Sequence, residues 1–532
     1  MVGRNAPRFV DSRIRTDIPR EVGAMTSLRA DYVVVGAGAA GAAAAARLAS
    51  DAGSTVVLLE AGHADRRDDV MRIDGIARTW GSDLDWSMAT VPQAGLGNRS
   101  VIVNQGKALG GSTLLNAMMY LHAHPANYDA WHALGAAGWD AMTTARAFQS
   151  LEQRLDGTSV REEAGRIPVR TCPDPAQDGA PFLAAVEEAG WGKPAAGAYE
   201  ALLQGGAAPL DFHVHGNGTR ATATSIFLDH LDRVDNLQIL TGAQARRIRF
   251  DGTRAVGVDV EQGGRSLSVV AEREVVLAAG ALRTPHLLQL SGIGPADALR
   301  RHGIDVLVDA PGVGANLHDH LQLPVVFERK QARPETSLLT GSVAYVRSDA
   351  SLAAPDLQIL FTPSVPASLA PTLALPVPAA IFIAVLVSPD SRGTVRLASA
   401  DPATDPHVDP GYLTDRRDAQ RLATAVQRVR ELATTSALRA DLVRELAPGT
   451  EAEHATYVRE GASTIWHPGG TVRMGTGEGA PVDAAFRVKG SESLRVVDAS
   501  LMPSPLSTNP VATAFLLGWR AANAIATGAA HA

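Results

Sequence analysis

The sequence predicts a mixed α/β protein with a nucleotide-binding domain on a parallel sheet and a second domain on an antiparallel sheet. Three observations support this. A short apolar run, DYVVV, leads into GAGAAG, an alanine-rich segment and a second apolar run that ends in a glutamate. Between residues 318 and 400, β-rich segments alternate with stretches of Pro, Ser and Ala. The chain has 532 residues, more than a single hydrophobic core usually serves.

The glycine-rich unit has the complete order expected of a Rossmann-type dinucleotide site: strand, GxGxxG, helix, strand and acid. Gly36 permits the tight turn, Gly38 lets the backbone approach a pyrophosphate, and Gly41 lets the helix pack close to the strand. Glu60, 24 residues beyond Gly36, is expected to accept a hydrogen bond from a ribose hydroxyl. The motif alone does not separate FAD from NAD, and a glycine-rich turn without a ligand is the alternative.

Composition limits the other classes of protein. A net charge of −7 gives no basic surface for nucleic acid. The single cysteine, Cys172, cannot form an internal disulfide or a cysteine metal site. No apolar run is long enough for a transmembrane helix. We therefore expect a soluble, cytoplasmic protein, and we predict that residues 1–28, which are rich in arginine, form a disordered arm.

Three further segments identify the cofactor. They are GKALGGSTLLNAMMY from Gly106, GALRTPHLLQLSGIG from Gly280, and the C-terminal pair IWHPGGTVRMG and LRVVDASLMPSPLSTNPVATAFLLGWRAANAIA. Together they resemble the glucose-methanol-choline (GMC) oxidoreductases, a family of FAD-dependent alcohol oxidases and dehydrogenases. The resemblance runs from about residue 29 to the end, in the order and spacing of the family. It implies a bound FAD.

The resemblance also implies a set of contacts to the FAD. In the family, the segment Asn116 to Met119 follows the isoalloxazine ring, Asp498 approaches the pyrophosphate, and Ala245 approaches the adenine. The implied cofactor residues are Gly36, Gly38, Ala39, Ala40, Gly41, Glu60, Ala61, Gly110, Ser112, Asn116, Ala117, Met118, Met119, Ala245, Asp498, Ala499, Asn509 and Pro510.

Two features of the GGST segment remain to be decided. Some relatives attach the flavin covalently through a histidine just before the asparagine of this motif. Leu115 stands there, which implies a non-covalent, dissociable FAD. From the residues alone, the hydroxyls of Ser112 and Thr113 are also compatible with capping a helix.

Alcohol oxidation requires a base for the hydroxyl proton and a group that orients the oxygen, while the flavin accepts the hydride. The resemblance implies His467 as the base, Asn509 as its partner and Trp466 as part of the pocket wall. An asparagine does not titrate, so we expect one catalytic ionisation, with activity that rises with pH through one pKa.

Other histidines suggest different roles. The segment NLHDH, which contains His318 and His320, has a metal-like spacing but corresponds to a structural loop in the family. We therefore expect no metal. His122 replaces the arginine usual in its segment, and either it or His124 contacts the substrate or, as we favour, lies at the surface.

The resemblance implies discontinuous domains. We assign 29–155, 205–317 and 463–532 to the FAD-binding domain and 156–204 and 318–462 to a substrate-binding cap. The segment after Asn236 predicts a meander with a hairpin at DGTR. The segments VVFER, SVAYVRS, DLQILF, AAIFIAVLVS and GTVRLA predict the antiparallel sheet, and residues 415–433 predict a helix. Residues 366–380 are a mobile loop at the pocket or a connector.

The expected function is oxidation of a primary alcohol to an aldehyde, with small or aryl alcohols slightly favoured over sugars. The electron acceptor, oxygen or another redox carrier, is not readable from the sequence, and neither is the oligomeric state. The main alternative is an FAD-containing lyase without net redox, like the hydroxynitrile lyases of the family. An NAD-dependent dehydrogenase and a binding protein with a vestigial flavin site are less consistent with the motifs.

Overall fold

The computed structural model describes residues 14–15, 28–155, 165–174, 176–231, 235–366, 369, 375, 377–449 and 453–528. Within the predicted disordered arm at 1–28, Ile14–Arg15 instead pairs with Leu237–Leu240 as an edge strand. Most of that arm and much of the predicted loop at 366–380 lie outside the described residues. So do residues 156–164 of the predicted cap.

The larger sheet forms the base of the nucleotide-binding region. Its spatial order is Ile14–Arg15, Leu237–Leu240, Val56–Leu59, Leu28–Val35, Arg265–Leu277, Arg254–Gln262 and Ala243–Asp251, and Leu494–Val496 pairs with Arg265–Leu277. The strands from Ile14–Arg15 to Arg265–Leu277 are parallel, and the last two add antiparallel to them as the predicted meander. The central strands Leu28–Val35 and Val56–Leu59 are apolar and largely buried, as the middle of a parallel sheet requires.

The second sheet is antiparallel. Its order is Leu442–Ala447, Leu321–Arg329, Ala379–Leu386, Leu357–Thr362, Ser342–Val346 and Gly206–Pro209, and Ser463–Thr464 pairs with Leu321–Arg329. This sheet and the parallel one confirm the predicted fold class. Gly206–Pro209 lies in a range that we assigned to the FAD-binding domain, yet it joins this sheet. The domain boundaries themselves stay a prediction.

One predicted strand of that sheet lies elsewhere. The GTVRLA segment forms Thr394–Arg396, which pairs with His407–Asp409 in a separate ribbon. Val395 packs there with Leu282 and Leu317. Burial of this side chain against residues of the predicted FAD-binding domain explains why the strand lies outside the antiparallel sheet. Among the other short pairings, Met88–Ala89 pairs with Ile102–Val103 and Ile293–Gly294 with Val308–Asp309. Ile167–Thr171 pairs with Glu152–Arg154 on one side and with Asp211–His213 on the other.

Helices cover both sheets. The α-helices are Ala39–Ala49, Asp68–Met71, Pro125–Ala133, Ala141–Leu151, Ala180–Glu188, Ala198–Gln204, Gly280–Leu290, Ala296–Arg301, Arg416–Thr434, Ser436–Arg439, His454–Gly461 and Val511–Thr527. Short 3₁₀ turns are Gly75–Arg78, Ala94–Leu96, Gly111–Leu114, Asp229–Leu231 and Ala499–Leu501, and Thr224–Leu228 is a π-helical turn. Within the described part of the chain, no helix is both long and apolar enough to cross a membrane.

Small residues let the C-terminal helix approach the nucleotide helix closely. A Cβ added at Gly518 would lie 1.9 Å from the carbonyl oxygen of Ala40, so the two helix backbones are almost in contact. This packing holds the N-terminus of Ala39–Ala49 and the start of Val511–Thr527 beside each other. The glycine-rich loop and Asn509–Pro510 therefore both border one cavity.

The antiparallel sheet separates two cores by the alternation of its side chains. Phe361 and Phe382 pack with Phe182 on the face covered by helix Arg416–Thr434. On the other face, Leu360 belongs to the core that includes the methionines of the NAMM segment. The second face therefore borders the cavity.

Candidate active site

A single cavity joins most of the predicted site residues. Its volume is about 1940 Å³ when the solvent at its mouth is included. It runs from the glycine-rich loop to His467 and Asn509. Its wall includes the predicted residues Gly36, Gly38, Ala39, Ala40, Glu60, Ala61, Ser112, Asn116, Ala117, Met119, Ala245, Trp466, His467, Asp498, Ala499, Asn509 and Pro510.

Gly41, Gly110 and Met118 are not part of that wall. Gly41 packs against the backbone of Gly36, and Gly110 turns the chain with a φ of +109°. Met118 is buried in the core beside the antiparallel sheet. As proposed cofactor contacts these three stay predictions, and in the structure each shapes the loop that carries its neighbours.

The glycine-rich loop leaves space and free donors for a phosphate group. Gly38 begins helix Ala39–Ala49 and has no side chain to cap it, so the first-turn amides have no partner within the helix. A Cβ added at Gly38 would meet no atom closer than the Cα of Gly111, 3.9 Å away. A helix N-terminus with this opening is suited to a pyrophosphate. The residues present therefore fit a dinucleotide.

Two buried carboxylates flank this end of the cavity. Glu60 accepts from the backbone N–H groups of Ala37 at 3.0 Å and Gly62 at 2.8 Å, and burial raises its pKa to about 7. Asp498 accepts from the N–H of Gly280 at 2.8 Å, and burial raises its pKa as well. Each carboxylate thus fixes a loop of the cavity wall. The ribose contact of Glu60 stays a prediction.

The loop that is predicted to follow the isoalloxazine ring is held by a buried cation. Arg220 is fully buried, and its Nη1 donates to the carbonyl of Asn116 at 2.6 Å and to its side-chain oxygen at 3.1 Å. The same side-chain oxygen accepts from the N–H of Met118, and Nδ2 of Asn116 lies 3.0 Å from Nε2 of His213. Asn116 is therefore rigid. No local sequence pattern pointed to Arg220.

The hydroxyls of the GGST segment do not cap a helix. Ser112 Oγ accepts from the N–H of Gly106 at 3.0 Å, and Thr113 Oγ1 donates to the carbonyl of Gly110 at 2.6 Å. The 3₁₀ turn Gly111–Leu114 has no side-chain cap. The helix-cap alternative is therefore wrong, because both hydroxyls tie this loop to itself and its neighbour.

The predicted catalytic pair is assembled at the other end of the cavity. Nδ2 of Asn509 lies 3.4 Å from Nε2 of His467. The protein packed around the His467 ring and the neighbouring His320 hold its pKa well below the ordinary value of 6.5. At neutral pH the ring is therefore uncharged and able to accept a proton. A base and an oriented amide beside one cavity suit removal of a hydroxyl proton.

Asp319 positions the backbone of His467, and the sequence interpretation missed it. Its carboxylate accepts from the N–H of His467 at 2.8 Å, from the Tyr412 hydroxyl at 2.5 Å and from the Thr464 hydroxyl at 2.6 Å. Burial raises its pKa to about 6. The available signal was an acid between two histidines immediately before an apolar strand, which we interpreted as a structural loop.

Trp466 forms part of the cavity wall in a conformation that its neighbours impose. Its φ is +62°, unusual for a residue other than glycine. Its N–H donates to Thr464 Oγ1 at 2.7 Å, its indole N–H donates to the Ile102 carbonyl at 3.1 Å, and its ring lies 4.7 Å from that of Trp80. These contacts turn the following residue, His467, toward the cavity.

The other histidines have structural partners. His318 is buried, with Nε2 3.3 Å from the carbonyl of Met502. His122 stacks on Phe148 with ring centroids 4.1 Å apart, and Nδ1 of His124 accepts from the N–H of Ala126. Neither His122 nor His124 lines the cavity, and both are half-buried. Both lie at the surface only in part, because aromatic packing and helix capping cover some of each side chain.

Comparison with known proteins identifies the family. Two family profiles, both described as GMC oxidoreductase, match residues 30–322 and 389–518. The chain belongs to the GMC oxidoreductase family. It is accordingly a flavin-dependent oxidoreductase, and its cofactor is FAD, as predicted.

Relatives extend over nearly the whole chain. Choline oxidase of Arthrobacter globiformis is 36% identical, over 93% of this chain and 94% of its own. Alcohol dehydrogenase [acceptor] of Pseudomonas putida is 33% identical, over 93% and 95%. The crystal structure of pyridoxine 4-oxidase from Mesorbium loti superposes with a TM-score of 0.86 at 31% identity, over 93% of this chain and 99% of that one. None of these three relatives is a lyase, and the lyase alternative is not carried further.

Proposed function

We propose that this protein oxidises a primary alcohol to the corresponding aldehyde. The observation that carries the proposal is the pairing of His467 and Asn509 at the wall of the cavity that also fits the FAD. The relatives named choline oxidase and alcohol dehydrogenase support an alcohol as substrate. The cavity wall includes the aromatic side chains of Trp80 and Trp466 and the aliphatic side chain of Ile465. Such a wall suits a small or aryl alcohol.

The residues of this chain supply the proton chemistry. Nε2 of His467 takes the hydroxyl proton as the O–H bond breaks, and the Asn509 amide donates to the oxygen that is left with negative charge. When bound, FAD supplies the acceptor for the hydride that leaves the carbinol carbon. Oxygen or another redox carrier as the final electron acceptor is also part of the proposal.

Three further parts of the proposal concern the state of the protein. Leu115 stands where attachment would need a nucleophile, which supports a non-covalent FAD. Arg220, Glu60 and the first turn of helix Ala39–Ala49 would hold the cofactor loops and phosphates. A cytoplasmic location is retained as a prediction.

Replacement of the base tests the proposal. His467→Ala should retain FAD but slow its anaerobic reduction by a primary alcohol about 10²- to 10⁴-fold, the usual contribution of a general base. The matched control is His122→Gln, because His122 is half-buried and does not line the cavity. Its flavin should be reduced at the wild-type rate. Equal rates for His467→Ala and the wild type would show that His467 is not the base.

A further inference from the structure

His320 contacts the proposed base but does not line the cavity. It is 3% exposed, and its Nδ1 lies 3.0 Å from Nδ1 of His467. We propose that His320 is a positioning residue that fixes the tautomer of His467, so that Nε2 of His467 is the unprotonated nitrogen presented to the substrate. This inference rests on the proposed function, in which His467 is the base.

The contact between the two rings requires a single hydrogen. A neutral imidazole has one nitrogen that donates and one that accepts. Two facing nitrogens 3.0 Å apart form a hydrogen bond only when one carries a proton and the other does not. The polarity of this bond therefore decides which nitrogen of His467 is free for chemistry.

The surroundings of His320 decide the polarity from one side. The backbone carbonyls of Leu506 and Val387 act on its ring and favour a proton there, which partly offsets the lowering of its pKa by burial. A carbonyl oxygen only accepts, so the His320 N–H is drawn to them. Since Nδ1 of His320 faces His467, the N–H lies on Nε2, and Nδ1 is left as an acceptor. The shared hydrogen then belongs to Nδ1 of His467.

The surroundings of Asn509 decide it from the other side. Nε2 of the buried Gln358 donates to Oδ1 of Asn509 at 3.3 Å and lies 3.4 Å from the hydroxyl of Tyr345. With its oxygen engaged there, Asn509 turns its Nδ2 toward Nε2 of His467. An amide nitrogen only donates, so Nε2 must accept. Both ends of the network give His467 the same tautomer.

Charge near the pair is consistent with this assignment. Among the described residues, His320 is the titratable group whose charge acts on His467, and burial keeps the pKa of His320 near 4. Asp319 lies on the same segment, but its oxygens are occupied by the His467 backbone and the hydroxyls of Tyr412 and Thr464. His320 is thus a neutral acceptor at neutral pH.

The proton balance of the step follows. The substrate O–H bond breaks, and the proton forms a new bond to Nε2 of His467, which becomes an imidazolium. Nδ1 keeps its own hydrogen and donates it to His320 in a bond that the new charge strengthens. His320 gains no proton. Without His320, the tautomer with hydrogen on Nε2 becomes accessible, and that tautomer cannot accept the substrate proton.

The test compares two replacements of His320 in the FAD-loaded protein. His320→Leu removes the acceptor, whereas His320→Gln keeps both an oxygen for His467 and an amide N–H for the carbonyls. His318→Gln is the matched control, because His318 is equally buried in the same segment but bonds to Met502. Long-range proton–nitrogen NMR of ¹⁵N-histidine protein reports which nitrogen of His467 is protonated, and His467→Gln assigns the signal.

We expect Nδ1 of His467 to be protonated in the wild type, in His320→Gln and in His318→Gln. In His320→Leu the Nε2-protonated form should appear, and flavin reduction should fall about 10- to 100-fold, the worth of one hydrogen bond to a charged group. Unchanged tautomer and rate in His320→Leu would overturn the inference.

Two further outcomes keep the test decisive. If His320→Leu does not fold, the wild-type spectrum still decides, because a His467 protonated at Nε2 overturns the inference by itself. If His467→Ala reduces its flavin at the wild-type rate, the base assignment fails, while the tautomer measurement is unaffected. The two failures are therefore distinguishable.

Discussion

The glycine-rich loop gives a prediction that separates cofactor binding from folding. Gly38 and Gly41 lie three residues apart, but their surroundings differ. A Cβ at Gly38 would be 3.9 Å from the nearest protein atom and would point into open cavity space, whereas a Cβ at Gly41 would be 1.9 Å from the carbonyl oxygen of Gly36. We therefore expect Gly38→Ala to affect FAD and Gly41→Ala to affect the fold.

The magnitudes follow from these distances. Gly38 has a φ of −74°, which alanine adopts readily, so Gly38→Ala should raise the free energy of unfolding of the flavin-free protein by about 0.4–1 kcal/mol. Its methyl group keeps the phosphate from the helix N-terminus. The loss of one hydrogen bond to a charged group, about 1.5–3 kcal/mol, weakens FAD binding about 10- to 100-fold. Gly41→Ala overpacks backbone that cannot move and should cost about 1–3 kcal/mol or more.

Urea unfolding of the flavin-free proteins measures the first quantity, and titration with FAD, followed by quenching of flavin fluorescence, measures the second. Wild-type FAD affinity in Gly38→Ala would refute the placement of the pyrophosphate at this loop. Wild-type stability in Gly41→Ala would refute the close packing of the loop against the helix.

Three other predictions concern Asp319, His318 and the FAD linkage. Tyr412→Phe removes one hydrogen bond to Asp319. It should lower the free energy of unfolding by about 1.5–3 kcal/mol above pH 6, where the carboxylate is charged, and by less below pH 6. An equal loss above and below pH 6 would contradict a charged acceptor. The pKa of His318 is lowered to about 3, so below pH 6.5 the unfolded state binds the proton first and stability falls. Between pH 7.5 and 5.5, the free energy of unfolding of His318→Gln should therefore fall by about 1.4 kcal/mol less than that of the wild type, as measured by urea unfolding. Identical pH profiles for the two proteins would refute this. Acid precipitation should release FAD into the supernatant, and yellow protein in the pellet would contradict non-covalent binding at Leu115.

Local patterns were sufficient to predict the nucleotide-binding unit. The strand Leu28–Val35, the helix Ala39–Ala49 and the strand Val56–Leu59 lie where the apolar runs and glycine spacing placed them. The hairpin at DGTR and the long helix Arg416–Thr434 also follow from their own sequences. In each case the signal and the structure it specifies lie within about thirty residues of the chain.

Features that depend on distant pairings were not predictable in this way. Gly206–Pro209 joins the antiparallel sheet through Ser342–Val346, more than a hundred residues later in the chain, and no local pattern marks that pairing. Asp319 and His320 act on His467 across a similar separation. Their roles depend on burial and hydrogen-bond partners that only the folded chain brings together. The placement of His467 beside Asn509 was predictable, because both residues lie in long motifs shared with the family.

The most direct test of the account is anaerobic reduction of the bound flavin. The purified protein is mixed with a panel of small and aryl primary alcohols while the visible flavin band is followed, and oxygen is then admitted. At least one alcohol should bleach the band, and the flavin of His467→Ala should bleach at least 10²-fold more slowly. Prompt recovery with oxygen would identify oxygen as the acceptor, and slow recovery would indicate another carrier. A band that no primary alcohol bleaches, or that bleaches equally fast in His467→Ala, would contradict the central claim.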